Sequence, residues 1–264
     1  MAGAQDILFA KRHMKIAGVQ KLTTLDYPGH LAATIFLPGC DLRCGYCHNP
    51  DLVLNRTPTQ SAQSSLSAKD VLAILREQRS FIDAVCITGG EPLLSLDPAF
   101  VREIKAMGFK IKIDTNGFHP QELKALVDEK LVDYVAVDIK TLPTLYQGLV
   151  GRKPKIADLM QTVRLVTTLP AYEFRTTVIP GYHSVELIES MVNWLRFTTG
   201  QRRLRAYYLQ QFVPRPGCML SPDFDKLPHT PHKMLDEYFE KVKEFFCICE
   251  VRKYYEEVPG ILEA

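Results

Sequence analysis

Short β-branched runs alternate with amphipathic helical patterns along this chain, and that alternation restricts the fold more than any single motif. Strands are predicted at residues 33–37, 84–88, 110–114, 134–138, 173–179 and 205–212. Helices are predicted between them at 68–78, 98–107, 120–129, 156–169 and 185–197, the first opening on Ser67 as N-cap. Parallel neighbours need a long crossover, usually a helix, so six such units imply an α/β fold built on a parallel sheet. A helical tail at 232–246 and a short strand at 249–254 follow. The 264 residues suit a single domain over 14–264, with residues 1–13 an N-terminal extension and the polar stretch 55–65 a surface connection.

Composition narrows the function classes. The 32 basic and 30 acidic residues nearly cancel, which argues against a large phosphate-binding surface and hence against nucleic acid as a partner. No run approaches the ~20 apolar residues of a membrane span, and the N-terminus lacks the apolar core of a secretory signal. A cytoplasmic protein is expected.

Three of the seven cysteines, Cys40, Cys44 and Cys47, fall in one loop made non-helical by Pro38, Gly39, Gly45 and Pro50. An odd cysteine count without a signal fits a reducing compartment better than a disulfide framework. Cys44 and Cys47 have the spacing of a zinc knuckle, but no second pair completes a closed four-ligand site, and His48 follows Cys47 too directly to reach the same ion. Thiolates also hold cubane clusters, and three of them leave one iron of a four-iron cluster open to a ligand. Cys86 is expected in the core, and Cys247 and Cys249 as packing residues.

The other unusual polar residues recur once per unit at the C-terminal ends of the predicted strands. They are Thr88-Gly-Gly-Glu-Pro92, Asp114-Thr-Asn-Gly117, Asp138-Ile-Lys140, the segment from Arg175 to Gly181, and Gln210-Gln211. In βα architectures that edge carries the chemistry. Gly89 and Gly90 allow a backbone to approach a ligand closely, and Asp138 and Lys140 alternate along a strand, so they share a face. Simpler readings stand beside these: an ordinary turn for Gly-Gly-Glu-Pro, an Asp138–Lys140 ion pair with Asp114 capping its turn, Arg175 on a core carboxylate, and His119 and His183 at the surface or in turns.

Cys40-x3-Cys44-x2-Cys47, with Tyr46 before the third cysteine, resembles the cluster motif of radical S-adenosylmethionine enzymes. Asp26-Tyr-Pro-Gly29, Cys47-His-Asn-Pro50 and the three later motifs in their order resemble the glycyl-radical-enzyme activating enzymes, nearest in motif content to the anaerobic ribonucleoside-triphosphate reductase activating proteins. The resemblance implies a partial (β/α)6 TIM-like barrel, a [4Fe–4S] cluster on Cys40, Cys44 and Cys47, and S-adenosylmethionine at the open iron. It implies reductive cleavage to a 5′-deoxyadenosyl radical, which takes hydrogen from a glycine of a partner enzyme, with a flavodoxin or ferredoxin as electron donor.

Residue by residue, the resemblance implies that Tyr46 meets the adenine and that Glu91 or the carbonyls beside Gly89 and Gly90 hold the cofactor ammonium. Lys140 would hold its carboxylate, Asp114, Thr115 and Asp138 would surround a monovalent cation, and Arg175 and Ile179 would contact cofactor and adenine. Some activating enzymes carry a histidine in the last-strand loop, where this chain has Gln210-Gln-Phe212. A pyruvate formate-lyase-type partner, a small-molecule or nucleobase substrate, and a non-enzymatic iron–sulfur or zinc module are the competing functions.

Overall fold

A computed structural model describes residues 14–54 and 66–254; residues 1–13, 55–65 and 255–264, with the expectations placed on them, lie outside the described part. Eight strands form one sheet in chain order: β1 Gly18–Thr23, β2 Ala32–Leu37, β3 Ala84–Gly89, β4 Lys110–Thr115, β5 Tyr134–Asp138, β6 Tyr172–Val178, β7 Leu204–Gln211 and β8 Phe246–Arg252. β1 runs antiparallel to β2, and every later pair is parallel. The crossovers carry α1 Ala68–Gln78, α2 Pro98–Ala106, α3 Pro120–Asp128, α4 Ile156–Val166 and α5 Val185–Thr199, and α6 His232–Val242 leads into β8. The outcome is a partial TIM-like barrel: six successive βα units, as expected, with β1 and β8 as its two edges.

Two elements differ from the sequence expectation. β1 is an edge strand with a mostly solvated surface and an irregular register between Gln20 and Thr23, so it carries little apolar alternation to read. The last strand begins at Phe246 rather than 249, because the Phe246 ring is buried and stacks on Tyr207 of β7 with centroids 4.9 Å apart. That contact converts the end of the expected helix into strand and adds a seventh parallel member to the sheet.

The alternation along each strand sorts two environments. Ile35, Val85, Ile87, Ile111, Ile113, Val135, Val137, Phe174 and Leu209 face the helices and are fully buried there with Leu75, Val101, Leu123, Val163 and Leu195. Between them, Cys86, Lys112, Asp114, Asp138, Glu173 and Arg175 point into the barrel, where Tyr27, Ala32, Ala84 and Tyr134 form a small apolar cluster of their own. Helix starts are fixed locally. Ser67 accepts from the Asp70 amide while the Asp70 carboxylate accepts from Ser67, a reciprocal capping box, and Ser184 and Asp97 cap α5 and α2.

At the C-terminal ends of β2 and β3, Leu37 pairs with Gly89. Gly89 has φ +135°, and a Cβ there would lie 2.0 Å from the Leu37 carbonyl oxygen. Only glycine fits both constraints. Gly89→Ala is expected to cost about 1–3 kcal/mol or more through strain and overpacking; an unchanged thermal unfolding midpoint would refute this.

Candidate active site

The cysteine loop leaves β2 and is held by backbone bonds on three sides. The Gly39 amide donates to the Leu52 carbonyl at 2.7 Å, which closes the loop onto a short helical turn at Pro50–Val53. Across the gap, the Gly90 amide donates to Leu37 at 2.9 Å and the Glu91 amide to Gly39 at 2.7 Å, so the Gly-Gly-Glu turn is sewn to the base of the cysteine loop. On the far side, the amides of Leu220 and Ser221 donate to the carbonyls of Cys47 and Gly45, both at 2.9 Å. The Arg43 guanidinium donates to the carbonyls of Cys40 and Leu42 at 2.6 and 2.7 Å, tightening the first turn.

Cys40, Cys44 and Cys47 all line one cavity of about 390 Å³ at the C-terminal edge of the sheet. Tyr46, Gly89, Gly90, Asp114, Thr115, Asp138, Lys140 and Arg175 line the same cavity, so residues from five strand ends meet there. Burial pushes all three thiols up, Cys40 to about 12. They are therefore neutral until a metal displaces their protons. Among the described residues, no three His, Cys, Asp or Glu side chains are grouped as ligands of a single ion. A cluster differs in that each thiolate takes its own iron, and a donor set of three thiols around one cavity fits that group.

The floor of the cavity is a chain of alternating charges. Arg175 donates through Nη1 to Asp114 and through Nε to Asp138, both at 2.9 Å, and Lys140 Nζ lies 3.4 Å from the other Asp138 oxygen. Lys112 donates to Asp114 from below. Burial would raise the Asp114 carboxyl, but Arg175 and Lys112 hold it down to about 2. Burial would likewise lower the Lys140 ammonium, but it is held up, and the ionised partner beside it is the Asp138 carboxylate, so Lys140 keeps its charge at the cavity wall. Its Nζ also sits 5.9 Å from the Tyr46 ring centroid, and that ring leans on Phe224.

Several expected roles are relocated. Glu91 is fully buried and does not line the cavity; it accepts from Leu93 N at 3.2 Å, Thr115 Oγ1 at 2.9 Å and Asn116 N at 2.6 Å. Its carboxyl, pushed up to about 7 by burial, ties the turn after β3 to the turn after β4, which leaves the Gly89 and Gly90 backbone as the part facing a ligand. The Thr115 hydroxyl donates to Glu91 and accepts from the Gly117 amide, while Thr115 lines the cavity with Asp114 and Asp138. Arg175 pairs with the Asp114 and Asp138 carboxylates and also lines the cavity. Ile179 is buried, with its amide donating to His183 Nδ1 at 2.9 Å rather than bordering the cavity. His183 is itself buried, and its Nε2 lies 2.9 Å from the Lys140 carbonyl, so this turn residue braces the end of β5. Cys86 is a core residue, as expected.

Three features escaped the sequence reading. Lys112 was legible in principle, because it stands two residues before Asp114 on the same strand face. The contact of the 220–221 backbone with the cysteine loop left no signal, since main-chain amides carry none. The third is a latch: Asp41 accepts from Asn116 Nδ2 at 2.8 Å and meets His119 Nε2 at 3.2 Å.

The family model described as the Radical SAM superfamily matches residues 34–194. The chain belongs to the radical SAM superfamily. A protein of Methanocaldococcus jannaschii provisionally named a glycyl-radical enzyme activating enzyme is 31% identical over 237 residues, covering 87% of this chain and 92% of that one. The pyruvate formate-lyase-activating enzyme of Clostridium pasteurianum is 32% identical over 48% of this chain and 52% of its own length, and that of Staphylococcus aureus is 30% identical over 62% and 68%. Within the superfamily, the chain groups with the glycyl-radical-enzyme activating enzymes. It is an oxidoreductase of the radical SAM type, and its family uses a [4Fe–4S] cluster and S-adenosylmethionine. At the level of fold alone, coproporphyrinogen III oxidase of Escherichia coli superposes with a TM-score of 0.53 at 15% identity, over 83% of this chain and 53% of that one. Methylornithine synthase does so at 0.51 and 13%, over 88% and 77%.

The latch has a pH signature. Burial pushes the His119 ring down, but Asp41, Glu91 and Glu122 more than offset it and leave the ring above its ordinary value. A raised pKa means the folded state binds the proton more tightly, so this stabilisation is complete below the unfolded value near 6.5 and is lost as pH rises through the higher folded one. The difference in unfolding midpoint between the wild type and His119→Asn should therefore shrink from pH 6 to pH 8, and a pH-independent difference would contradict the latch.

Proposed function

We propose that this chain activates a glycyl radical enzyme, and that its partner is an anaerobic ribonucleoside-triphosphate reductase. One observation carries the activase reading: three thiols, a Gly-Gly backbone edge and a charged lysine converge on one cavity at the C-terminal edge of an unclosed sheet. When bound, the cluster supplies one electron to the sulfonium of S-adenosylmethionine, whose cleavage gives the radical that takes hydrogen from a glycine.

The chain's own residues supply binding and orientation. Cys40, Cys44 and Cys47 would hold three irons, and Lys140 would pair with the carboxylate of S-adenosylmethionine. Gly89 and Gly90 border the cavity, where their backbone carbonyls would accept from the cofactor's ammonium, and the buried Tyr46 ring would keep water from one side. Among the described residues β1 and β8 do not pair, and an unclosed sheet of this kind would suit the approach of a partner protein's loop to the cavity. The overall motif content, nearest to that of the reductase-activating proteins, supports the reductase as partner. The named relatives from Clostridium and Staphylococcus support a second reading, a pyruvate formate-lyase-type partner. A flavodoxin or ferredoxin would serve as reductant in either case.

Reconstituted protein mixed anaerobically with S-adenosylmethionine, a one-electron donor and the reductase should give a glycine-centred doublet in electron paramagnetic resonance. The doublet should be absent with Cys40→Ala, Cys44→Ala or Cys47→Ala. Cofactor cleavage with no doublet on the reductase, but a doublet on a pyruvate formate-lyase-type enzyme, would move the assignment to the second partner; no protein radical on either would overturn the activase reading. Lys140→Met should weaken S-adenosylmethionine binding by about tenfold or more, the scale of one charge-assisted hydrogen bond, as measured by equilibrium dialysis.

A further inference from the structure

Lys112 is a buried lysine that the chemistry above does not use. Its side chain is 1% exposed, it does not line the cavity, and it lies one layer beneath it on β4. Among the described residues, Asp114 is the carboxylate within ion-pair distance of its ammonium; Cys86 Sγ lies at 3.9 Å and the Tyr134 ring centroid at 5.9 Å. A lysine this deep in a barrel is costly unless its charge is needed.

The need becomes visible in the order of charges. Lys112, Asp114, Arg175, Asp138 and Lys140 alternate in sign from the barrel interior to the cavity wall, three cations against two anions. Glu173 is shared by Tyr134, by Arg252 at 3.3 Å and by Arg175 at 3.7 Å, and Asp26 accepts from Thr34 at 2.5 Å. Lys140 ends the chain at the cavity, and the one carboxylate it meets, Asp138, is shared with Arg175, so its ammonium is the cation placed to receive a ligand. Without Lys112, Arg175 would be drawn towards Asp114, Asp138 would lose its guanidinium, and Lys140 would be held back on Asp138 instead of meeting a ligand. A mobile monovalent cation between Asp114 and Asp138 would do the same electrostatic work. Here that place is taken, since one guanidinium bridges the two carboxylates and the Thr115 hydroxyl is turned to Glu91.

We propose that Lys112 is a positioning residue, a built-in counter-ion that neutralises Asp114 so that Lys140 can receive a ligand carboxylate without a diffusible monovalent cation. The inference rests on the reading that the cavity takes S-adenosylmethionine, and the test separates the two. Binding of S-adenosylmethionine to the cluster-reconstituted protein is measured by equilibrium dialysis in buffers whose only added monovalent cation is tetramethylammonium, potassium or ammonium. The wild type should bind equally in all three. Lys112→Met should bind about tenfold or more weakly in tetramethylammonium, and should recover with potassium or ammonium, or when Asp114→Asn is added to remove the unpaired charge.

Wild-type binding that depends on potassium overturns the proposal. So does a Lys112→Met protein that binds as tightly as the wild type, or one that neither cation nor Asp114→Asn rescues, since a merely structural lysine would behave that way. If Lys112→Met does not fold, the wild-type series still decides, together with thallous ion soaked into wild-type crystals. An anomalous peak between Asp114 and Asp138 would refute a built-in counter-ion, and its absence beside cation-independent binding would support it. A wild type that binds no S-adenosylmethionine in any buffer would instead overturn the cofactor reading.

Discussion

The bridging of Asp114 and Asp138 by one buried guanidinium governs the interior of this barrel. Two carboxylates cannot be withdrawn from water on neighbouring strands without a cation between them, because the desolvation cost of each far exceeds what a lone hydrogen bond returns. Arg175 satisfies both through different nitrogens and so ties the C-terminal ends of β4, β5 and β6 together on the barrel side, with Lys140 beyond Asp138 at the wall. An apolar interior of the same volume would pack as well but would offer no charge to a ligand.

The cysteine loop depends on a second constraint, the closeness of the β2 and β3 ends. Glycine at 89 and 90 lets the turn after β3 donate two amides into the start of the cysteine loop, with carbonyls of Leu37 and Gly39 nearer than any side chain would tolerate. Glu91 then extends the connection to the next turn by accepting from Thr115 and Asn116, and Asp41 returns it through Asn116 and His119. Three turns from three strands thus form one hydrogen-bonded rim. Such a rim holds three thiols in place before any metal arrives, which lowers the ordering cost of loading a cluster.

The legibility of these features follows their physics. Strand and helix identity could be read from β2 to β7, because burial on one face leaves a periodic apolar trace. β1 left little trace because its surface is solvated, and the start of β8 was set by Phe246 stacking on Tyr207, a contact between residues far apart in sequence. The thiols and Lys140 could be assigned to one site from their place at strand ends. The partners of Glu91, Thr115 and Ile179 could not, since each is a nearby polar or apolar group whose direction depends on how adjacent turns pack. A carboxylate in a turn looks the same in sequence whether it meets a ligand or a neighbour's amide.

The sequence by itself determined the order of the βα units, the three-thiol loop, and the glycines that let two turns touch, because spacing and backbone permissiveness are local properties. Tertiary structure alone decided which charges neutralise each other. Whether Arg175 meets a ligand or two carboxylates, and whether Lys112 is a solvated lysine or a buried counter-ion, depends on the register of parallel strands and on which side of the sheet is closed from water. Electrostatic energies vary with distance and burial, and neither quantity is written in the order of residues.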